Sequence, residues 1–426
     1  MFKRLLNKIR QHEFVRNVFT MLTGAGISQL LVIIFIPILT RIYTPAEFGI
    51  MALFISIANI LSVIATGRFE LGIMLPKHDE NAYNLLFFSL LLIVFVSLIC
   101  FILIVSLDRF LITRFDLESD YHLFYFLPLS ILLISTNKIL FHWQNRHKRF
   151  KNVSMNKVSQ SVTSSITNFT AGFFFHLGAT GLLTGHLLSF FVADVLYFFR
   201  LRKTDRHLNK SLHPATMRKE IKNNRNFPYY SVPMGIINLI SKDVLIYAFK
   251  AFYTDAIVGY FNNARKVIDF PLMLLTNSFK SVFFQKLTTS PNPVRIFTYS
   301  YFSTLAVSVM AMLPVIFWGE EIFGFVLGDD WREAGKIASL LAPLIIFNFP
   351  ARNTSNVFSY TRKNQYLLIW QVAYLAVSMT VIFLFKDNFE SLVLYYAIAG
   401  AILYIILSFM EYFILRKHAA KNEGNG

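Results

Sequence analysis

Apolar runs of about 20 residues, each long enough to cross roughly 30 Å of hydrocarbon, recur along nearly the whole chain. They are continuously apolar rather than alternating, so they read as helices and not as barrel strands. In the first half the spans fall at about 18–40, 48–66, 82–106, 121–141, 156–176 and 179–199. In the second they fall at about 229–250, 256–279, 296–318, 337–358, 365–385 and 391–415. An even number per half brings the chain back to its starting side. The halves are then parallel repeats about a pseudo-two-fold axis along the membrane normal. The expected fold is an all-α integral membrane protein of twelve spans. Its N-terminal lobe covers 1–210 and its C-terminal lobe 211–426. Only 15% of the residues are charged, against about 25% in soluble domains, and mean hydropathy is +0.51.

The net charge of +17 is gathered in a few connections. It therefore reports orientation and contact with anionic lipid, not nucleic-acid binding. About 29 Lys and Arg lie on one side of the membrane and about seven on the other, which places both termini and the connection from Leu201 to Phe227 in the cytoplasm. That connection reads as the linker between lobes, with His213-Pro214 as a breaker and a short helix near Met217 to Ile221. The basic start (Lys3, Arg4, Lys8, Arg10) reads as an amphipathic surface segment before a retained first span. The longest outer connection, Gly319 to Lys336, is acidic, with Trp318 and Trp331 at the level of an interfacial belt. Cys100 is the single cysteine, and the ten histidines show no metal-ligand spacing. No phosphate-binding loop and no nucleophile–base constellation is present.

Tyr253-Thr254-Asp255-Ala256-Ile257-Val258-Gly259 repeats Tyr43-Thr44-Pro45-Ala46-Glu47-Phe48-Gly49 at Tyr, Thr, Ala and Gly. Both copies join the first and second spans of their halves. Below the second copy, charge enters the membrane. With Gly259 near the outer surface, Arg265 lies roughly 9 Å deep and Asp269 roughly 15 Å deep, at 1.5 Å per helical residue. Lys242 and Asp243 reach the same depth on the preceding span, beside Lys266. Each such group costs about 2.5–3.5 kcal/mol at a bilayer centre, so these face protein or water. One reading is an anion-binding cavity in which Arg265 grips a diphosphate in a fork and Lys242 and Lys266 act as point charges. The other is a structural set of salt bridges. Pro271 removes the hydrogen bond to the Val267 carbonyl and is expected to kink the span beside them, as a hinge or as a shaper of the cavity.

Arg68 and Glu70 follow the second span, either as a solvated loop pair or as a cytoplasmic gate. Asp194 sits inside the sixth span, where capping, solvation or proton coupling would explain it. Lys138 and Arg352 are near enough to cytoplasmic ends to snorkel. Arg41 ends the first span, where the helix dipole already favours a cation.

Four stretches taken in order resemble the bacterial polysaccharide flippases: Arg41-Ile42-Tyr43-Thr44-Pro45-Ala46-Glu47-Phe48-Gly49, Gly67-Arg68-Phe69-Glu70-Leu71-Gly72-Ile73-Met74-Leu75-Pro76, Asn226-Phe227-Pro228-Tyr229-Tyr230-Ser231-Val232-Pro233, and Gly259-Tyr260 through Arg265 to Phe270-Pro271-Leu272. These are Wzx-type (O-antigen) members of the multidrug, oligosaccharidyl-lipid and polysaccharide exporter superfamily. The resemblance implies a bacterial inner-membrane protein, not an enzyme. It implies passage of undecaprenyl-diphosphate-linked repeat units from cytoplasmic to periplasmic leaflet by alternating access through a cationic central cavity. By analogy with the related lipid-II flippases, it points to Arg41 and Arg265. With the residue reading above, the candidates for anionic cargo are Arg265, Lys266, Lys242, Arg41, Arg68 and Arg352. Asp269, Asp243, Glu70, Asp194 and Pro271 are then coupling or gating candidates, with H⁺ or Na⁺ as the coupling ion and no resident cofactor. Partners would be the lipid-linked oligosaccharide, membrane lipids, a polysaccharide polymerase and a chain-length regulator. A multidrug exporter of the same superfamily and a membrane glycan polymerase or ligase are the alternatives. The excess of central cations disfavours the first, and the short outer connections disfavour the second.

Overall fold

The computed structural model describes residues 24, 26–107, 121–290 and 292–423. The basic N-terminal segment, the first turns of the first span, and Arg109 and Arg114 lie outside the described residues. Among the described residues all regular structure is helical. The long helices are α1 (Gly26–Leu39), α2 (Pro45–Thr66), α3 (Asp79–Ser106), α4 (Leu127–Arg146), α5 (Phe150–Phe173), α6 (Ala179–Thr204), α7 (Val232–Phe252), α8 (Asp255–Thr289), α9 (Pro293–Leu327), α10 (Arg332–Thr354), α11 (Asn364–Phe385) and α12 (Phe389–Glu423). They stand where the apolar runs placed spans. Nine described helices are long and apolar enough to cross a bilayer. The described part of α1 is shorter than a full span, and α5 and α8 carry too many polar side chains to qualify by composition.

The chain forms two compact units, one of residues 1–43 and 50–240, the other of Thr44–Gly49 and 241–426. In the first unit α3 packs on α4, and α6 packs on α4 and α5. The α3 sequence divides by face. Leu85, Leu86, Ser89 and Ile93 are buried against the core around Trp143 and Tyr197, while Leu91, Phe95, Leu98 and Ile102 stay exposed at helical spacing, as a lipid-facing stripe would. The connection after α6 folds back onto this core. The Asn84 amide donates to Ser211 O (2.9 Å), and its oxygen accepts from His213 N (3.0 Å). Leu208 is buried in the core, with Leu212 and Ile221 against it. The expected short helix spans Pro214–Asn223, capped by the His213 side chain.

In the second unit α10 packs on α8, α9 and α12, and α11 packs on α12. The expected outer connection from Gly319 to Lys336 is instead mostly helix. α9 continues to Leu327 past a break at Trp318 (φ −131°, ψ 28°), and only a turn at Asp329–Trp331 separates it from α10. The apolar sequence Ile322-Phe323-Gly324-Phe325-Val326-Leu327 sustains the helix, and Gly319 and Gly335 let the two backbones touch. Trp331 is also not interfacial. It is fully buried, edge-on to Phe48 (5.4 Å) and Tyr260 (5.8 Å).

The repeated motif has a steric basis. Thr44 and Glu47 form a reciprocal capping box that starts α2: Thr44 N donates to Glu47 Oε2 (2.7 Å), and Glu47 N to Thr44 Oγ1 (3.4 Å). The first turn of α2 then crosses the first turn of α8 backbone to backbone. A Cβ on Gly49 would overlap the Asp255 carbonyl, and one on Gly259 would overlap the Pro45 carbonyl. The third residue of each copy thus meets the seventh of the other. Each copy's tyrosine donates to a distant carbonyl, Tyr43 to Asn168 (2.7 Å) and Tyr253 to Lys386 (2.6 Å).

Candidate functional site

α7 and α8 form an antiparallel hairpin, pinned at its tip by Lys250, whose ammonium bonds both Asp255 oxygens (2.9 and 3.0 Å). Asp255 opens α8, where the helix dipole favours an anion. Deeper in the hairpin, α7 loses helical geometry at Asp243 (φ −110°, ψ 16°). Arg265 of α8 reaches across to this break. Its Nη1 donates to the Lys242 carbonyl (3.1 Å) and pairs with Asp243 (3.3 Å), and its Nε lies 3.5 Å from Asp269 one turn on. The guanidinium fork carries donors on separate nitrogens, which lets one side chain reach a backbone carbonyl and two carboxylates on different sides. Phe261 lies under the guanidinium at 6.0 Å. α8 continues as helix through Pro271, and a loss of helical geometry occurs in the neighbouring helix, at Asp243.

The other cations here differ from Arg265. Lys242, Lys266 and Arg352 have exposed side chains that make no hydrogen bond or ion pair to any described residue. Lys242 lies in the electrostatic field of Arg265, Asp243, Asp269 and Arg352. Arg352 therefore joins the cluster from α10, more than eighty residues along the chain. A layer of aromatic residues on α11 and α12 backs it. Tyr374 and Tyr396 share a hydroxyl hydrogen bond (3.0 Å), and the Trp370 ring packs at a tilt against Tyr374 and Tyr404. All three tyrosines lie in the field of Arg265. Sequence reasoning missed this layer, because nothing marks three tyrosines among 19. It also missed Glu411 of α12, which is fully buried. Thr354 donates to its Oε2 (2.6 Å), and its Oε1 has no partner. Lys280 lies in the fields of both Glu411 and Arg352.

The remaining expected residues belong to the first unit and form separate groups. Arg41 is exposed and donates to Pro37 O (3.1 Å), closing the end of α1. Arg68 follows Gly67 in a left-handed turn (φ 59° and 56°) and pairs with Glu70 at 3.5 Å. This is not a solvated loop pair: the Glu70 side chain is 4% exposed, and Arg68 Nε and Glu70 Oε2 are buried without partners. Lys138 does not snorkel. It bonds Ser62 Oγ (2.5 Å) beside Arg68 and Glu70. Asp194 is buried, which excludes solvation and capping. Asn137 donates to its Oδ1 (2.8 Å), Gln160 supports Asn137 (3.0 Å), and Oδ2 has no partner.

Residues 38–336, well over half of the chain, match a family described as polysaccharide biosynthesis protein. No curated protein matches the chain in sequence. Among solved structures, the lipid II flippase MurJ in an inward closed conformation superposes with a TM-score of 0.71 at 15% identity, over 94% of this chain and 90% of that one. An inward-facing multidrug resistance MATE family transporter of the MOP superfamily gives 0.63 at 11% identity, over 95% and 96%. A MOP superfamily transporter from Pyrococcus furiosus, described by the reverse polarity of its binding pocket, gives 0.52 at 14%, over 95% of each. At these identities the likeness is one of fold.

Proposed function

Because the chain belongs to the polysaccharide biosynthesis protein family and has the two-lobed fold of MOP superfamily transporters, we propose that it is a flippase for lipid-linked oligosaccharides. Its cargo is an undecaprenyl-diphosphate-linked repeat unit, moved from the cytoplasmic to the periplasmic leaflet of a bacterial inner membrane. The route is alternating access through a cationic central cavity, with both termini in the cytoplasm.

The observation that carries this reading is the division among the cations of the second unit. Asp243 and Asp269 are committed to Arg265, while Lys242, Lys266 and Arg352 remain uncommitted. Arg265, Lys242 and Arg352 against Asp243 and Asp269 leave a surplus of one positive charge, with Lys266 next to Arg265 in sequence. A diphosphate fits that surplus, gaining charge-assisted hydrogen bonds from groups that give up no partner to make them. An organic cation would be repelled, which disfavours multidrug export. A diphosphate cannot enter hydrocarbon unaided, whereas the polyprenyl tail stays in lipid throughout. For coupling, Asp194 is the strongest candidate to take H⁺ or Na⁺, with Glu70, Asp243 and Asp269 behind it: its second oxygen has no partner, and unlike those three it is in no ion pair with a described cation. A polysaccharide polymerase and a chain-length regulator act downstream.

The test is a strain whose only copy carries Lys266→Ala with Arg352→Ala. At normal protein level, surface polysaccharide should fall at least about tenfold, the value of one lost charge-assisted hydrogen bond. The lipid-linked intermediate should accumulate, and drug susceptibility should not change. Full surface display by the double variant would remove the cationic site from the mechanism.

A further inference from the structure

The connection between α6 and α7 is not a tether. Asp205, at the end of α6, is 3% exposed and accepts from both Arg149 Nη atoms (2.6 and 2.7 Å) and from Trp143 Nε1 (2.9 Å). Six residues later Asn84 clamps Ser211 and His213. Glu220, in the helix that follows, is 5% exposed, with its carbonyl held by the buried Asn224. Between Arg202 and Arg225 these are the two acidic residues, and both point inward. The eight Lys and Arg of the same stretch are all exposed. The fold has thus sorted charge by sign, giving a surface fixed in shape and positive throughout.

We propose that this surface is a docking site for the headgroups of anionic phospholipids on the bilayer face from which it emerges. Charge complementarity selects the occupant, and position supports it. The surface starts in the last turn of α6, at Arg202 and Lys203, and the exposed Tyr229 and Tyr230 at its far edge suit the headgroup layer. Cations so placed lie within about a Debye length of the lipid phosphates. Because Asp205, Asn84 and Leu208 have already ordered the backbone, binding forfeits little conformational entropy. The inference is independent of the cargo.

The experiment uses the purified full-length protein in neutral detergent, with dioctanoyl phosphatidylglycerol, dioctanoyl phosphatidylcholine and a short single-stranded DNA as probes. Phosphatidylglycerol should bind, and added NaCl should weaken it; phosphatidylcholine should bind much less. Each exposed cation near a charged bilayer is worth about a factor of five. Replacing Arg218, Lys219, Lys222 and Arg225 together by Gln should therefore lower phosphatidylglycerol affinity at least about tenfold, with the melting temperature unchanged. Equal binding of the two lipids overturns the proposal, as does an unchanged affinity in the variant. DNA binding tighter than phosphatidylglycerol also overturns it and assigns the surface to nucleic acid.

Discussion

The crossing of α2 and α8 is held by two glycines that should behave as one unit. In Gly259→Ala the new methyl meets the Pro45 carbonyl, and in Gly49→Ala it meets that of Asp255. Both obstacles are backbone atoms, so no side-chain rotation relieves them and the helices must separate. Overpacking of this kind costs about 1–3 kcal/mol, and a backbone obstacle belongs at the upper end, about 3 kcal/mol for each variant. Once the helices have parted for one methyl, the second finds room. The double variant should therefore lose roughly 3–4 kcal/mol and not the sum of about 6, because the sites share one displacement. Gly26→Ala is the internal control: a Cβ there meets nothing within 4 Å, and Ala is the better helix former by about 1 kcal/mol. Thermal unfolding of the purified protein, followed by tryptophan fluorescence, reads all four. Trp331 is a local reporter, since it touches Phe48 on α2 and Tyr260 on α8. Additive losses in the double variant, or single variants as stable as Gly26→Ala, would refute the reasoning.

Asp205→Asn should destabilise the first unit by about 3 kcal/mol at pH 7, the usual cost of removing one partner from a buried ion pair. Burial alone would raise the Asp205 carboxyl, but the hydrogen bonds from Arg149 and Trp143 outweigh it and hold it below the usual carboxylate range. Its contribution is thus complete above about pH 4 and fades as pH falls through the lower folded value, so melting curves of variant and parent should converge in acid. Arg265→Lys keeps the charge but cannot serve Asp243, Asp269 and the Lys242 carbonyl together. Protease sensitivity in the α7–α8 hairpin should rise, and surface polysaccharide should drop, at normal protein level; an unchanged cleavage pattern would count against the bridging role.

Helix positions were legible because hydrocarbon demands a minimum apolar length of each crossing helix, and the charges of α7 and α8 because so few interrupt those runs. What was hidden depends on distance along the chain or on local exceptions. Arg352 looked like a helix-end cation until α10 packed against α8. Glu411 carried no mark in the sequence, and only the packing of Thr354 against it shows it enclosed. Asp243 breaks α7 without a glycine or proline to announce it. The extension of α9 was masked by Gly319-Glu320-Glu321, which has the composition of a turn yet continues as helix because Phe323 and Leu327 are buried beyond it. The glycines of the repeat were visible as a pattern, but a string of letters does not say that each copy rests on the other.

Arg265 carries two duties at the bend of α7: it satisfies a main-chain oxygen left over by the break, and it neutralises the aspartate beside it. A phosphate that drew the guanidinium away would cost the Lys242 carbonyl this donor and Asp243 this counter-ion. The nearest remedy is for α7 to re-form its own N–H to C=O bond across Asp243, which straightens the rod. Under the proposed function, occupancy and backbone shape would then change in one exchange of counter-ions, and the hairpin itself would register that a load has arrived.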